Sequence, residues 1–283
     1  VEGKMMFRRR KLVDALMRVL AALFAAFGVV LLFLIFLDIV LNGYRAINLD
    51  FFTQLPRPYG EEGGGVAQAI VGSLYLLALA SLIGIPVGVG TAIYLAEFGR
   101  GTLARAVRFS ADMIAGLPSI VVGVFVWAFM VRHIVGQYAG IAGAVALAII
   151  MIPIIARTVE EILRLVPDSL REAALALGIP KWKTILRVVL PTASSGIATG
   201  VLLSVARAGG ETAPLLLTTL GNQFFNFNLL EPVAALPVQI YTYAVGPYED
   251  WHIKAWGASL LLVGIIALLS LATRYATRKR RFV

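Results

Sequence analysis

The stretch Ser169-Leu170-Arg171-Glu172-Ala173-Ala174-Leu175-Ala176-Leu177-Gly178-Ile179-Pro180-Lys181-Trp182-Lys183 is a charged island between two long apolar runs, Ile134–Ala156 and Val188–Ala206. It parses as two short helices. Asp168 or Ser169 can cap the first, and Ser169 with Glu172 fits a capping box, in which each side chain accepts the other residue's free backbone N–H. Leu170 to Leu177 are good helix formers. Gly178 suits the left-handed position after a helix, and Pro180 stops one helix and can open the next. The second helix then runs through Trp182, Ile185 and Leu186 to Leu190-Pro191. A short helix with an apolar face and charged flanks, tethered between membrane segments, has the shape that fills a groove on a partner.

The apolar runs around it set the fold class. A helix needs roughly 20 apolar residues to cross the hydrocarbon core. Six uncharged stretches approach or exceed that length: Val19–Leu37, Gly63–Ala96, Met113–Val131, Ile134–Ala156, Val188–Ala206 and Ala255–Thr273. The second is long enough for a tilted span with a lead-in. A seventh, Thr212–Leu230, is also uncharged, but it is rich in Thr, Asn and Gln and carries Gly221, so it reads as re-entrant or interfacial. The first run keeps its place as a membrane helix, because its 19-residue apolar core exceeds the roughly 7–15 of a signal peptide. The expectation is an all-α membrane protein with six transmembrane helices.

Charge sets the direction. Lys and Arg form clusters of six from Lys4 to Arg18, three from Gly99 to Arg108, six from Arg157 to Arg187 and five from Arg274 to Arg281. Six spans place all four clusters on one face, and the other face carries Arg45, Arg57, Arg132 and Lys254. That split of 20 against 4 leaves Arg207 inside the membrane. The positive-inside rule makes the rich face, with both termini, cytoplasmic. Seven spans would put the basic tail outside. The outer loops run from Asn42 to Glu62 and from Gly221 to Lys254. Tyr241, Tyr243, Tyr248, Trp251 and Trp256 form either an interfacial aromatic belt or a docking surface for an external binding protein.

Composition excludes other classes. The chain is 59% hydrophobic and 14% charged, against about 25% charged in soluble domains. Its net charge of +9 sits beside apolar runs, a pattern of membrane orientation and not of nucleic-acid binding. It has no cysteine, and its two histidines, His133 and His252, lie far apart in sequence, a poor metal pair. No Gly-x-x-x-x-Gly-Lys-Ser/Thr phosphate cradle, His-Glu-x-x-His or Gly-x-Ser-x-Gly is present, so the chain reads as neither an ATPase nor an enzyme, and no cofactor is assigned to it.

Glu172-Ala173-Ala174, with Gly178 four residues later and Leu190-Pro191 beyond, resembles the EAA signature of type I ABC importer permeases. In that family the loop docks into a cleft of a cytoplasmic ATPase and transmits its closure. The resemblance implies a type I permease fold with a cytoplasmic coupling-helix loop. It divides the chain into a segment 1–64 with the first helix and an external loop, a permease domain over 65–273, and a basic cytoplasmic tail over 274–283. Glu172, Ala173, Ala174 and Gly178 would couple to the ATPase, and ATP and Mg2+ would be bound by that partner. Ala206-Arg207-Ala208-Gly209-Gly210-Glu211-Thr212-Ala213-Pro214-Leu215 is similar to the PstA phosphate permeases, as are, less specifically, Gly72-Ser73-Leu74-Tyr75 and Ile83-Gly84-Ile85-Pro86-Val87-Gly88. That similarity implies inorganic phosphate as substrate. It also implies a second, PstC-like permease subunit, a PstB-like ATPase dimer and an external PstS-like phosphate-binding protein. Beyond these the expected contact is membrane lipid of the inner membrane, with no nucleic acid. Sulfate, molybdate or phosphonate permeases are the alternatives within the class. A secondary transporter or channel is the alternative outside it, and that class has no ATPase for an EAA loop to dock.

The charges inside the apolar runs are the candidate path. Arg207 follows nineteen uncharged residues counted from Val188. A charge at the bilayer centre costs about 2.5–3.5 kcal/mol on insertion scales, so the residue should turn to a partner or a wet cavity. Glu211 stands at i+4. Two readings follow: a self-contained ion pair at a helix end, or a guanidinium fork offered to a tetrahedral oxyanion with Glu211 holding it. Gly209-Gly210 permits a break in the helix. Arg157, at the cytoplasmic end of span four, is by physics alone a snorkelling anchor. The resemblance to PstA implies functional arginines at Arg157 and Arg207. Gly84 and Gly88 carry the spacing of close helix packing.

Overall fold

A computed structural model describes residues 2–58, 61 and 63–278. Among them the structure is helical, and the extended pairing is an isolated bridge between Pro56 and Gly64. Lys279, Arg280 and Arg281 of the basic tail lie outside the described residues.

Five helices are long and apolar enough to cross a membrane, and a bent helix pair, Gly101–Gly116 with Ser119–Val135, is the candidate for a sixth span. Helix α1 runs over Glu2–Gly43 without a break between the basic segment and the first apolar run. Its most apolar window is wholly unburied, as expected of a helix whose solvent is lipid. Its far end is pinned to the last helix: a Cβ on Gly43 would stand 2.7 Å from the Trp256 carbonyl. The short helix α2 (Leu49–Thr53) is capped by Asn48, whose side chain accepts from the Phe51 N–H at 2.8 Å. Helix α3 (Ala67–Ile93) continues as a π turn over Tyr94–Phe98.

Span three departs from the sequence expectation. The run Met113–Val131 is not one helix. Helix α4 (Gly101–Gly116) ends at Leu117-Pro118, and helix α5 (Ser119–Val126), extended by a π stretch over Trp127–Val135, leaves at 103°. Pro118 drives the break, because it lacks an N–H and forces Leu117 to extended backbone. The apolar run is therefore divided between two helices that meet at Leu117-Pro118. Span four begins later than the apolar run suggests. Gly136, left-handed at φ +83°, closes the preceding turn, and α6 covers Gly140–Arg164.

Helix α6 is the core of the bundle. Leu147, Met151, Ile155, Val159 and Leu163 on it are all buried, and α3 lies along it through small residues. A Cβ on Gly88 would come 2.7 Å from the Ile155 Cβ, and one on Gly84 would come 3.2 Å from the Met151 Cβ. The pair thus serves close packing, as its spacing suggested.

After α6 comes the charged island. Helix α7 covers Asp168–Ala176. A second helix, α8 (Lys181–Thr184), passes through a π turn at Ile185–Val189 into α9 (Leu190–Gly209). The second short helix and span five are thus one rod over Lys181–Gly209. Pro191 interrupts nothing: its missing N–H falls just after the π turn, where the hydrogen-bond ladder is already shifted. Helix α9 packs on α6 through Gly200 against Thr158 and Gly196 against Ile162.

The segment Thr212–Leu230 does not cross. It forms the short α10 (Ala213–Thr218) and then a loop. The carbonyls of Thr218, Glu231 and Leu229 accept the N–H groups of Ala139, Gly140 and Ile141 at 2.9, 2.9 and 2.8 Å. These donors stand at the start of α6 and would otherwise have no partner. Helix α11 (Leu236–Val245) and helix α12 (Glu249–Arg278) complete the chain. His133 lies in the last turn of the π stretch Trp127–Val135, and His252, within the run read as an outer loop, lies in the first turn of α12. On α11, Tyr243 is buried beside Trp251 of α12. Burial pushes its phenol up to about 12, so it is a neutral hydrogen-bonding group under ordinary conditions.

Candidate functional site: two arginines along the bundle and a coupling helix at its basic end

Arg207 sits in the last turn of α9. Its side chain is 56% exposed in the single chain, and Glu211 is 14% exposed. The i+4 reading is not helical: α9 stops at Gly209, Gly210 caps it, and Glu211 lies past the end. The Arg207 Nε to Glu211 Oε1 distance is 3.8 Å, beyond hydrogen-bond range. The guanidinium therefore has a nearby counter-charge without its donors being consumed by it.

Arg157 lies inside α6, two turns before its end, and is paired with carboxylates. Its Nε meets Asp112 Oδ1 of α4 at 2.9 Å, and its Nη1 donates to Glu160 Oε2 at 3.1 Å. Glu160 is the residue the sequence reading missed. Its side chain is 2% exposed, and it also accepts from Arg108 Nε and Arg164 Nη2 at 2.7 Å each. Arg108 in turn donates to the Leu95 carbonyl at 2.8 Å. The signal was available, because positions 157, 160 and 164 share one helical face.

The two candidate arginines are not in contact. Thr158 lies against Gly200, so Arg207 stands roughly six residues, or about 9 Å of helix rise, farther from the basic end. They mark two levels of one packed helix pair.

The coupling candidates divide by exposure. Glu172 and Ala173 face outward, while Ala174 is buried against the bundle. Around them Leu165 and Leu177 are about 80% exposed and Trp182 is 58% exposed. The expected capping box does not form. The helix starts at Asp168 after Pro167 with no side-chain cap, and Asp168 instead pairs with Arg171 at 3.2 Å. The C-terminal reading holds. Gly178 is left-handed at φ +75°. Ile179 N–H bonds to the Ala174 carbonyl at 3.1 Å and Gly178 N–H to the Leu175 carbonyl at 2.9 Å, which is the Schellman pattern.

Comparison with known proteins fits this arrangement. The family described as binding-protein-dependent transport system inner membrane component matches residues 84–282. The phosphate transport system permease protein PstA of Xylella fastidiosa (strain Temecula1) is 42% identical over 270 residues, 95% of this chain and 94% of its own. The PstA of Yersinia pestis is 43% identical over 279 residues, 98% of this chain and 94% of its own. A chain of the bacterial alginate ABC transporter, crystallised with an alginate pentasaccharide-bound periplasmic protein, has the same fold. Its TM-score is 0.70 at 15% identity, over 94% of this chain and 95% of that one. An integral inner-membrane bundle with a short exposed helix between its spans, matched along nearly its whole length by such permeases, belongs to the family of binding-protein-dependent transport system inner membrane components, and within it to the PstA-type permeases.

Proposed function

We propose that this chain lines one half of an inward path for inorganic phosphate and is driven by a separate ATPase dimer seated on α7. The observation that carries the reading is Arg207, a half-exposed guanidinium at the end of an uncharged helix, with its counter-charge 3.8 Å away. A planar fork with free donors suits the oxygens of a tetrahedral anion. Arg157 is the second station. There the arriving anion competes with Asp112 for the same guanidinium, so the carboxylate marks the place an oxyanion would take. The names of the PstA relatives favour phosphate over sulfate, molybdate or phosphonate. A half-exposed cation calls for a facing wall, and a second, PstC-like permease subunit supplies it. A PstS-like binding protein delivers the anion outside, and a PstB-like dimer binds ATP and Mg2+ inside. Co-expression tests this directly. The chain is expected to elute with a second permease and the ATPase, and elution alone with transport intact would contradict the reading.

The docking surface is the exposed face of α7 with Leu177 and Trp182. Its aim is set by Gly178. A Cβ there would meet nothing within 4 Å, so substitution acts through the backbone alone. Forcing a bulky residue to a positive φ costs about 1–2 kcal/mol. Gly178→Leu is expected to cut ATPase co-elution about tenfold, since ~1.4 kcal/mol is a factor of ten, with membrane insertion unchanged. Gly178→Asn, which tolerates that φ, is expected to stay near wild type. Equal co-elution in both variants would remove Gly178 from the docking account.

Orientation follows from the basic clusters. In this cysteine-free chain, a probe at Thr277→Cys is expected to react only from the cytoplasmic side, and one at Gln223→Cys only from outside. Labelling of Thr277→Cys by an impermeant reagent added outside would overturn the topology.

A further inference from the structure

Arg171 stands on α7 immediately before Glu172, yet its side chain turns away from the docking face and is only 18% exposed. Its Nε and Nη2 donate to Glu97 Oε1 at 3.1 and 2.8 Å. Nη2 also donates to the Leu163 carbonyl at 2.8 Å, and Nη1 donates to the Val166 carbonyl and to Asp168 Oδ1 at 3.2 Å. Leu163 stands in the last turn of α6 and Val166 two residues past its end, so Arg171 ties down the segment where α6 stops. Glu97 is 5% exposed and lies on the π turn that ends span two. Lys181, the first residue of the span-five rod, donates to the Glu97 carbonyl, and its ammonium lies 4.4 Å from the Phe98 ring centre. One guanidinium on the coupling helix thus gathers the ends of spans two and four, with the start of span five beside it.

Two further features bear on motion. Spans two and five each carry a π turn at this junction or close to it: Tyr94–Phe98, which holds Glu97 itself, and Ile185–Val189, four residues after Lys181. Such turns interrupt the regular hydrogen-bond ladder, and helices kink at them. And breaking a buried ion pair leaves one charge without a partner, which makes the pair stiff. The junction is therefore held firmly by the ion pair, while the helix ladders of spans two and five are irregular at Tyr94–Phe98 and Ile185–Val189.

We propose that Glu97 and Arg171 form the joint through which movement of α7 reaches spans two and four, and that the joint stays closed throughout the transport cycle. Both act as positioning residues. The proposal rests on the reading that the ATPase docks on α7. It separates two jobs: the outer face of α7 holds the ATPase, and the inner face passes its movement on.

The test uses the complete transporter in proteoliposomes, with cysteine-free partners, and reads ATPase co-elution, ATP hydrolysis and phosphate uptake together. Glu97→Gln is expected to keep co-elution and hydrolysis while phosphate moved per ATP falls at least tenfold. Arg171→Lys, with charge but no fork, should fall between. The pair Glu97→Cys with Arg171→Cys should be as uncoupled as Glu97→Gln, and linking the two thiols with a bifunctional thiosulfonate should restore at least half of the lost ratio. An unchanged ratio in both single variants overturns the proposal. So does linkage that leaves transport blocked, because the joint would then have to open. Loss of co-elution together with transport overturns it as well, by reducing the pair to a staple that holds α7 in place. A wild-type complex that neither retains the ATPase nor moves phosphate with ATP would overturn the docking reading itself, a result distinct from all of these.

Discussion

Glu160→Leu is expected to be the most destabilising single change in the described bundle. The carboxylate is 2% exposed and meets Arg108, Arg157 and Arg164 within 3.1 Å. The three partners are not equal. Arg164 is 56% exposed, so water and salt screen it and its pair contributes little. Arg108 is 23% exposed and depends on Glu160 and the Leu95 carbonyl. Removing one member of such a buried set strands the others, at about 3–5 kcal/mol. Leucine fills the volume but leaves Arg108 and Arg157 facing each other without their shared counter-ion. Glu160→Gln keeps the shape and an acceptor and should lose clearly less. Thermal unfolding in detergent checks this, with the leucine variant melting far below glutamine and glutamine below wild type. A leucine variant that melts with the wild type would mean that Glu160 is not the counter-ion that holds α4 on α6.

Arg207→Gln is expected to reduce phosphate uptake at least tenfold while assembly with the partners persists. Hydrogen bonds to a charged group contribute about 1.5–3 kcal/mol, and ~1.4 kcal/mol is a factor of ten. Glutamine keeps length and some donors but neither the charge nor the fork. The control is the double change Arg207→Gln with Glu211→Gln. If the two residues were only a structural ion pair, removing both charges would be tolerated better than removing one. The geometry speaks against that role, because the pair is 3.8 Å apart and Glu211 lies past the end of α9. Uptake should therefore stay low in the double variant. Its recovery would leave a salt bridge and no path.

Much of this architecture was legible in the chain, and the failures have physical causes. Spans one, two, five and six read directly from uncharged length, since lipid leaves a helix no other solution. Span three did not, because hydropathy has no sense of direction. The run Met113–Val131 is continuously apolar, and only Gly116-Leu117-Pro118 signals that the chain turns there. At α7 the local capping signal lost to tertiary structure: Asp168 and Ser169 could have capped, but Asp168 is taken by Arg171. Gly178 was legible because a left-handed cap is a backbone requirement that a neighbour cannot override.

The candidate site divides in the same way. Arg207 announced itself by depth. Arg157 stood out as a candidate in the sequence, but its partners did not. Asp112 and Glu160 come from two helices, and the network appears only when α4 folds back at Pro118. Glu97 and Arg171 are 74 residues apart, and no spacing rule connects them. Charges at the ends of apolar runs look alike in sequence whether they face water or each other.

The measurement that bears most directly on the central claim is uptake of radiolabelled phosphate by proteoliposomes holding this chain with a PstC-like permease, a PstB-like ATPase and a PstS-like binding protein. Accumulation is expected only with ATP and Mg2+ on the side of α7, and excess sulfate or molybdate should leave it unchanged. Phosphate accumulation driven by an ion gradient without ATP, or ATP-driven accumulation of sulfate in its place, would contradict the account.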